Sequence, residues 1–198
     1  SKELRLWLDE MKPMQILIDP SDRSLDPIHG STIHLATSIE LINFAAIDRT
    51  DDSANRLYRS LWMNADAQIR TAIDKTFTTG DTFFEGKAAW LMSQKLPPET
   101  PLFIASSMPV RDLEFFWKPG NLAIQPFFNR GANGIDGTLS TALGIAHRNQ
   151  SAVMLTGDLA LLHDTNGFLI RNYFKGHLTI VLINNNGGGI FGMLPIAQ

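Results

Sequence analysis

Two polar pairs, Gly157-Asp158 and Asn184-Asn185, are separated by the 25 residues 159–183. That length holds one helix and one strand. A strand–helix–strand crossover is nearly always right-handed and leaves its two strands parallel, so Asp158 and Asn185 are expected at the same edge of a sheet. Asp158 offers a charged oxygen and Asn185 a neutral carbonyl oxygen. Such a pair suits Mg²⁺, with Mn²⁺ as a substitute. Magnesium takes six oxygens at about 2.1 Å, typically one or two carboxylates with phosphate oxygens and water. The backbone carbonyl of Gly187 can turn inward, because glycine tolerates the dihedrals this needs. Gly157 lets backbone N–H groups near the next helix start approach an anionic phosphate, which a helix N-terminus favours. Alone, Asp158 would read more readily as a helix cap than as a ligand; its spacing from Asn185 is what points to a cation. Asn184 and Asn186 suit turn hydrogen bonding.

The elements that position these residues follow from apolar patterning. Strands are expected over 102–105, 123–127, 152–155 and 178–183, alternating with helices over 111–117, 134–147 and 161–174. Short strands that are apolar throughout and separated by helices imply an α/β fold, a parallel sheet with helices on both faces. Ligands then bind beyond the carboxyl ends of the strands. The loops there are Ser106-Ser107, Asn129-Arg130-Gly131, Gly157-Asp158 and Asn184-Asn185-Asn186-Gly187-Gly188-Gly189, all polar or glycine-rich. Upstream, Leu57, Leu61, Ala65, Ile69 and Ile73 mark a helix capped by Asp51 or Asp52, and another runs over 85–95 to Pro97-Pro98. Residues 14–18 form a strand ending at Asp19-Pro20, and 32–44 a second. We divide the chain into residues 1–50, a tail of a neighbouring domain or a linker, and 51–198, the α/β domain.

The 198 residues are 44% hydrophobic and 19% charged, with a formal net charge of -3. This balance argues against nucleic acid as a partner. No run reaches the roughly 18 apolar residues of a membrane span, and no secretory signal is evident. The lack of cysteine removes disulfides and a thiol nucleophile, and leaves five histidines as soft ligands, which argues against structural zinc. Without an initiator Met, and stopping after a glycine-rich turn, the chain is expected to be part of something longer. The same lack of cysteine fits a reducing compartment.

The Gly-Asp, spacer, Asn-Asn arrangement resembles the magnesium–diphosphate motif of thiamine-diphosphate-dependent enzymes. One departure is Leu159, where the general motif has a second glycine; that residue is not a metal ligand. Phe128-Asn129-Arg130-Gly131-Ala132-Asn133-Gly134-Ile135-Asp136-Gly137, Ser107-Met108-Pro109-Val110-Arg111 and Asn184-Asn185-Asn186-Gly187-Gly188-Gly189-Ile190-Phe191 resemble one branch of it. That branch is the 2-succinyl-5-enolpyruvyl-6-hydroxy-3-cyclohexene-1-carboxylate synthases of menaquinone and phylloquinone biosynthesis. The resemblance implies the thiamine-diphosphate-binding fold, with 1–50 the tail of a central domain and 51–198 the N-terminal part of an incomplete diphosphate-binding domain. It implies thiamine diphosphate and Mg²⁺ as cofactors, and a carboligase that decarboxylates 2-oxoglutarate and adds the succinyl carbanion equivalent to isochorismate. Gly157, Asp158, Leu159, Asn185, Gly187, Ile135 and Ile190 would surround the cofactor, with Asp158, Asn185 and Gly187 on the metal. Arg111, Arg130 and Ser107 would bind substrate carboxylates, for which a guanidinium fork is suited. Ile190, Phe191 and Leu194 would wall the reacting carbon. The full enzyme would be a dimer or tetramer in which a partner subunit supplies an activating glutamate, so the isolated chain is expected not to turn over.

Other readings stay open at this stage. An acetolactate synthase or another 2-oxoacid decarboxylase shares the cofactor motif but would not need Arg111 and Arg130 together. Gly187-x-Gly189-x-x-Gly192 fits a dinucleotide fingerprint. Arg130 suits a surface ion pair, and Arg111 can answer to Asp112 or Glu114. His163 reads as a core or supporting histidine, and Asp136 and Asp164 as structural acids at helix ends. Trp62, Trp90 and Trp117 read as core or interface aromatics. A folded module that only associates with other chains is also consistent, through an apolar sheet edge.

Overall fold

The computed structural model describes residues 2–21, 23, 25–46, 53–80, 83–148 and 151–193. In chain order these form α1 (Lys2–Met11), β1 (Gln15–Ile18), β2 (Thr32–Leu35), α2 (Ser53–Thr79), α3 (Gly86–Lys95), β3 (Pro101–Ile104), α4 (Met108–Phe116), β4 (Gln125–Phe128), α5 (Thr138–Ala146), β5 (Ser151–Gly157), α6 (Asp158–His163) and β6 (His177–Ile183). Short 3-10 turns cover Ile39–Leu41, Phe44–Ala46, Thr165–Asn172 and Gly189–Met193. The chain divides into two compact units, Ser1–Asn64 and Ala65–Gln198.

In the second unit, β4, β3, β5 and β6 lie in that order and every pair is parallel. The pleat sends alternate residues to opposite faces. Phe103, Ala105 and Met154 pack on one face against Leu139, Ala142 and Leu143 of α5. Leu102, Ile104 and Leu155 pack on the other with Met92 of α3, Leu113 of α4 and Trp117. Both faces are therefore covered, as the apolar strands predict, and the chain is an α/β protein. Leu102, Phe103, Leu139 and Met154 are completely buried. Each such side chain contributes roughly 1.5–3 kcal/mol. The helical layer around α3 is tied by Asp74, which accepts from Trp90 Nε1 and Lys118 Nζ, both at 2.7 Å.

Several boundaries differ from the sequence-based expectation for local reasons. Helix α4 begins at Met108, three residues early, because Pro109 fits a first turn, where its missing N–H is not required. Helix α5 begins only at Thr138, because Gly137 (φ +62°) holds a left-handed conformation just before it. Strand β4 starts at Gln125, after Ala123 (φ +49°) breaks the extended run. The helix expected over 161–174 is instead α6 followed by a 3-10 run. Gly167 packs closely on α5, where a Cβ would lie 3.1 Å from Leu139 and Ser140. His163, expected inside, is exposed.

In the first unit β1 and β2 form a parallel pair, with Ile18 opposite Leu35. The strand expected over 32–44 stops at Leu35 because its partner ends before Asp19-Pro20. The connection is held by buried Asp26, which accepts from the N–H groups of Ile28 and Gly30 and from Thr32 Oγ1 at 2.6 Å. Helix α1 was not anticipated from the sequence. The proposed caps Asp51 and Asp52 lie outside the described residues. Among the described residues, no helix is long and apolar enough to cross a membrane.

Candidate functional site

Strands β5 and β6 end flush. Their register pairs Gly157 with Ile183 as the last partners, so the chains leaving both strands emerge side by side at the carboxyl edge. Asp158 opens α6. Its Oδ1 accepts from the N–H of Leu159 at 2.7 Å, and its Oδ2 accepts from the N–H of Gly187 at 2.8 Å. Asn185 Oδ1 accepts from the same Gly187 N–H at 3.1 Å. A carboxylate oxygen from one strand exit and an amide oxygen from the next thus converge on one donor.

The β6 exit reaches back through three consecutive left-handed residues, Asn186 (φ +64°), Gly187 (φ +83°) and Gly188 (φ +70°). The first is stabilised by its N–H donating to Asn184 Oδ1 at 3.1 Å, the turn role expected for those asparagines. A side chain on Gly187 would be strained by its φ and would also press on Leu159, 3.3 Å from the Cβ position.

A cavity of about 130 Å³ opens at this edge. Of the residues singled out from sequence, Ser107, Ile135, Gly157, Asp158, Leu159, Asn185, Ile190 and Phe191 line it. Arg111 and Arg130 do not line it. Arg111 is half-buried and donates from Nη1 to the carbonyl of Ser107 at 2.6 Å, so it reaches the strand exit that carries Ser107. Arg130 is exposed on the loop after β4. Leu194 lies outside the described residues. Ser107 itself has φ +79°, a conformation uncommon for a residue with a side chain and costly in a way that concentrates at functional sites.

Sequence reasoning missed Glu85. It stands immediately before α3, lines the same cavity, and accepts from Asn185 Nδ2 at 3.0 Å. One hundred residues separate the two, and nothing in either neighbourhood announces the contact. Behind Glu85, Asp112 of α4 is 4% exposed. Burial, and then the charge of Glu85, push its carboxyl up to about 6.

These features favour a cation with an anionic ligand. Gly157 lines the cavity, and a Cβ there would meet no protein atom within 4 Å. Packing therefore does not require a glycine; the bare backbone instead leaves room for a group held against it. Among the described residues no three His, Cys, Asp or Glu side chains cluster as a metal cage. A cation beside Asp158 would draw on Asn185, on backbone oxygens and on oxygens of its ligand. That mixed, hard-oxygen set is the kind magnesium uses with phosphates. The glycine-rich run offers no such support to a dinucleotide, because among the described residues Gly189–Met193 is a 3-10 turn and presents no α-helix start for a pyrophosphate. A larger cavity of about 340 Å³, lined by Leu113, Trp117, Leu122 and Phe128 among others, has no ionisable lining residue.

No protein-family model matches the chain. Over all 198 residues it is 63% identical to the 2-succinyl-5-enolpyruvyl-6-hydroxy-3-cyclohexene-1-carboxylate synthase of Nostoc sp. (strain PCC 7120 / SAG 25.82 / UTEX 2576) and 63% identical to that of Trichormus variabilis (strain ATCC 29413 / PCC 7937). It is 48% identical to that of Synechococcus sp. (strain JA-3-3Ab). In each case 100% of the chain is matched, against 34%, 34% and 33% of the relative. The chain spans about a third of the length of the curated relatives it matches.

Proposed function

We propose that this chain, homologous from end to end to one third of those synthases, holds the Mg²⁺–diphosphate end of thiamine diphosphate in such an enzyme. The observation that carries this reading is the convergence of Asp158 Oδ2 and Asn185 Oδ1 on the Gly187 N–H. Residues 51–198 would then be the N-terminal part of the diphosphate-binding domain, and residues 1–50 the tail of a central domain.

The division of labour we propose is the one the resemblance implies. Asp158, Asn185 and Gly187 hold the metal, and Gly157 leaves space for the diphosphate. Leu159 packs beside Gly187 and keeps the loop in place. Ile135, half-buried and packed on the core below α5, gives the cofactor an apolar support. Ile190 and Phe191, with Leu194, exclude water from the reacting centre. Ser107, Arg111 and Arg130 stand at neighbouring strand exits and bind carboxylates, the arginines through their planar forks. That set suits two polycarboxylic substrates, 2-oxoglutarate and isochorismate. Thiamine diphosphate, when bound, supplies the carbon nucleophile and the electron sink for decarboxylation and carboligation. The complete enzyme is a homo-oligomer of the bacterial cytoplasm or plastid stroma, and a partner subunit completes each site.

The test is a thermal melt of the full-length protein with thiamine diphosphate and Mg²⁺, with each alone, and with NAD. A ligand at 100 times its dissociation constant adds about 2.7 kcal/mol. Stabilisation should need both components, vanish in Asp158→Ala, and accompany product formation from 2-oxoglutarate and isochorismate. Stabilisation by NAD, or an Asp158→Ala protein that responds like the wild type, would remove the basis of the proposal.

A further inference from the structure

We infer that Glu85 is a positioning residue for the metal site: it accepts from Asn185 Nδ2 and so fixes which end of that amide faces the cation. The inference rests on the Mg²⁺–diphosphate reading above and extends it to a residue on a different helix.

The two ends of an asparagine amide have nearly the same shape and opposite hydrogen-bonding character. A metal ligand must present the oxygen. Shape does not decide this, because an amide turned by half a revolution would fill the same space. Neighbouring groups decide it from two sides. On one side Glu85 Oε1 lies 3.0 Å from Nδ2, and a carboxylate oxygen attracts the amide N–H and repels the amide oxygen. On the other side Oδ1 takes the Gly187 N–H at 3.1 Å, next to Asp158 Oδ2. Turning the amide over would set oxygen against carboxylate at one end and N–H against N–H at the other.

Gly189 makes the same point independently. A Cβ at this position would lie 2.5 Å from Asn185 Nδ2. Its φ is not in the left-handed region, so the backbone makes no demand for glycine there. What a side chain at 189 would displace is the nitrogen end of the amide, seated between Glu85 and the chain. Glu85 is placed by helix α3, whose following residue Gly86 is buried against Phe116 and Phe84. The orientation of a ligand at one edge of the sheet is therefore set by the residue that precedes α3, 100 residues earlier.

Partners of metal ligands typically change metal affinity by about 10–100-fold when removed. The experiment is Mn²⁺ binding to full-length protein, followed by the loss of the free-ion paramagnetic resonance signal, with and without thiamine diphosphate. Wild type, Glu85→Ala, Glu85→Gln and Asp158→Ala are compared, each checked for native near-ultraviolet dichroism. We expect Glu85→Ala to weaken diphosphate-dependent Mn²⁺ binding about 10–100-fold. Glu85→Gln, whose carbonyl still accepts, should stay within a few-fold of wild type. A packing role alone would lower thermal stability without this split between alanine and glutamine. Wild-type affinity in Glu85→Ala, or equal losses in both variants, overturns the inference. If Glu85→Ala does not fold, Gly189→Ala takes its place, since it dislodges the same nitrogen from the other side, and wild-type affinity there is equally fatal. Wild type that binds Mn²⁺ no better than Asp158→Ala, whatever the diphosphate, would instead bring down the metal-site reading and this inference with it.

Discussion

Asp112→Asn should make this protein more stable at neutral pH and flatten its pH dependence. Asp112 is 4% exposed, and burial together with the Glu85 charge raises its carboxyl from 3.8 to about 6. The folded chain therefore binds more protons than the unfolded chain between those two values. Stability attached to this group is fully present below 3.8, falls as pH rises through the window, and is lost above about 6. At 1.36 kcal/mol per unit, holding the charge at pH 7.5 costs about 3 kcal/mol. Asparagine removes the charge but buries an amide with imperfect hydrogen bonding, at about 1 kcal/mol. The net expectation is a gain of about 2 kcal/mol at pH 7.5 and none, or a small loss, at pH 4. Urea unfolding followed by tryptophan fluorescence reads this, because Trp117 caps α4, the helix that carries position 112, and Trp90 lies on α3. A difference between the proteins that stays constant from pH 4 to pH 8, or a variant less stable at pH 7.5, would refute the reasoning.

Two further outcomes concern the helical layer behind the site. Gly86→Ala should destabilise by about 1–3 kcal/mol in the same unfolding assay, because the new methyl would lie 2.3 Å from the Phe116 ring and 2.7 Å from Phe84. Asp74, whose carboxyl is held below its usual value by Lys118 and then Trp90, contributes stability above the unfolded value that is lost as pH falls through the lowered one. Asp74→Ala should lower the melting temperature slightly at neutral pH, with the difference shrinking in 1 M salt as the exposed ion pair is screened and closing in acid.

Much of this architecture was legible because its cause is local. Strands at 102–105 and 178–183 were read within a residue of β3 and β6, since β-branched and aromatic runs bounded by prolines, serines and asparagines admit few other readings. The meeting of Asp158 and Asn185 was legible for a topological reason: one crossover of 25 residues between parallel strands leaves little choice of edge. Where the reading slipped, the deciding fact was conformational or distant. Ala123 and Ser107 adopt positive φ although neither residue type signals it. The helix expected from residue 111 begins at Met108, because Pro109 is compatible with a first turn. His163 sat among apolar residues in the sequence, but α6 turns it to solvent. Glu85 was invisible because its contact with Asn185 depends on how α3 packs across the sheet, and no periodicity within either segment encodes that.

The flush ending of β5 and β6 has a kinetic side. Neither strand alone carries a site; the oxygens of Asp158 and Asn185 meet only when Gly157 stands opposite Ile183. A shift of one residue in that pairing would turn every β6 side chain to the other face and carry Asn185 away from Asp158. Among the described residues β6 pairs with β5 alone, so this one register carries the whole alignment. A metal bridging the two exits would work as a latch on this edge, slowing its opening and rejecting the slipped register during assembly. Cofactor binding and the completion of the sheet would then be one event, seen from two ends.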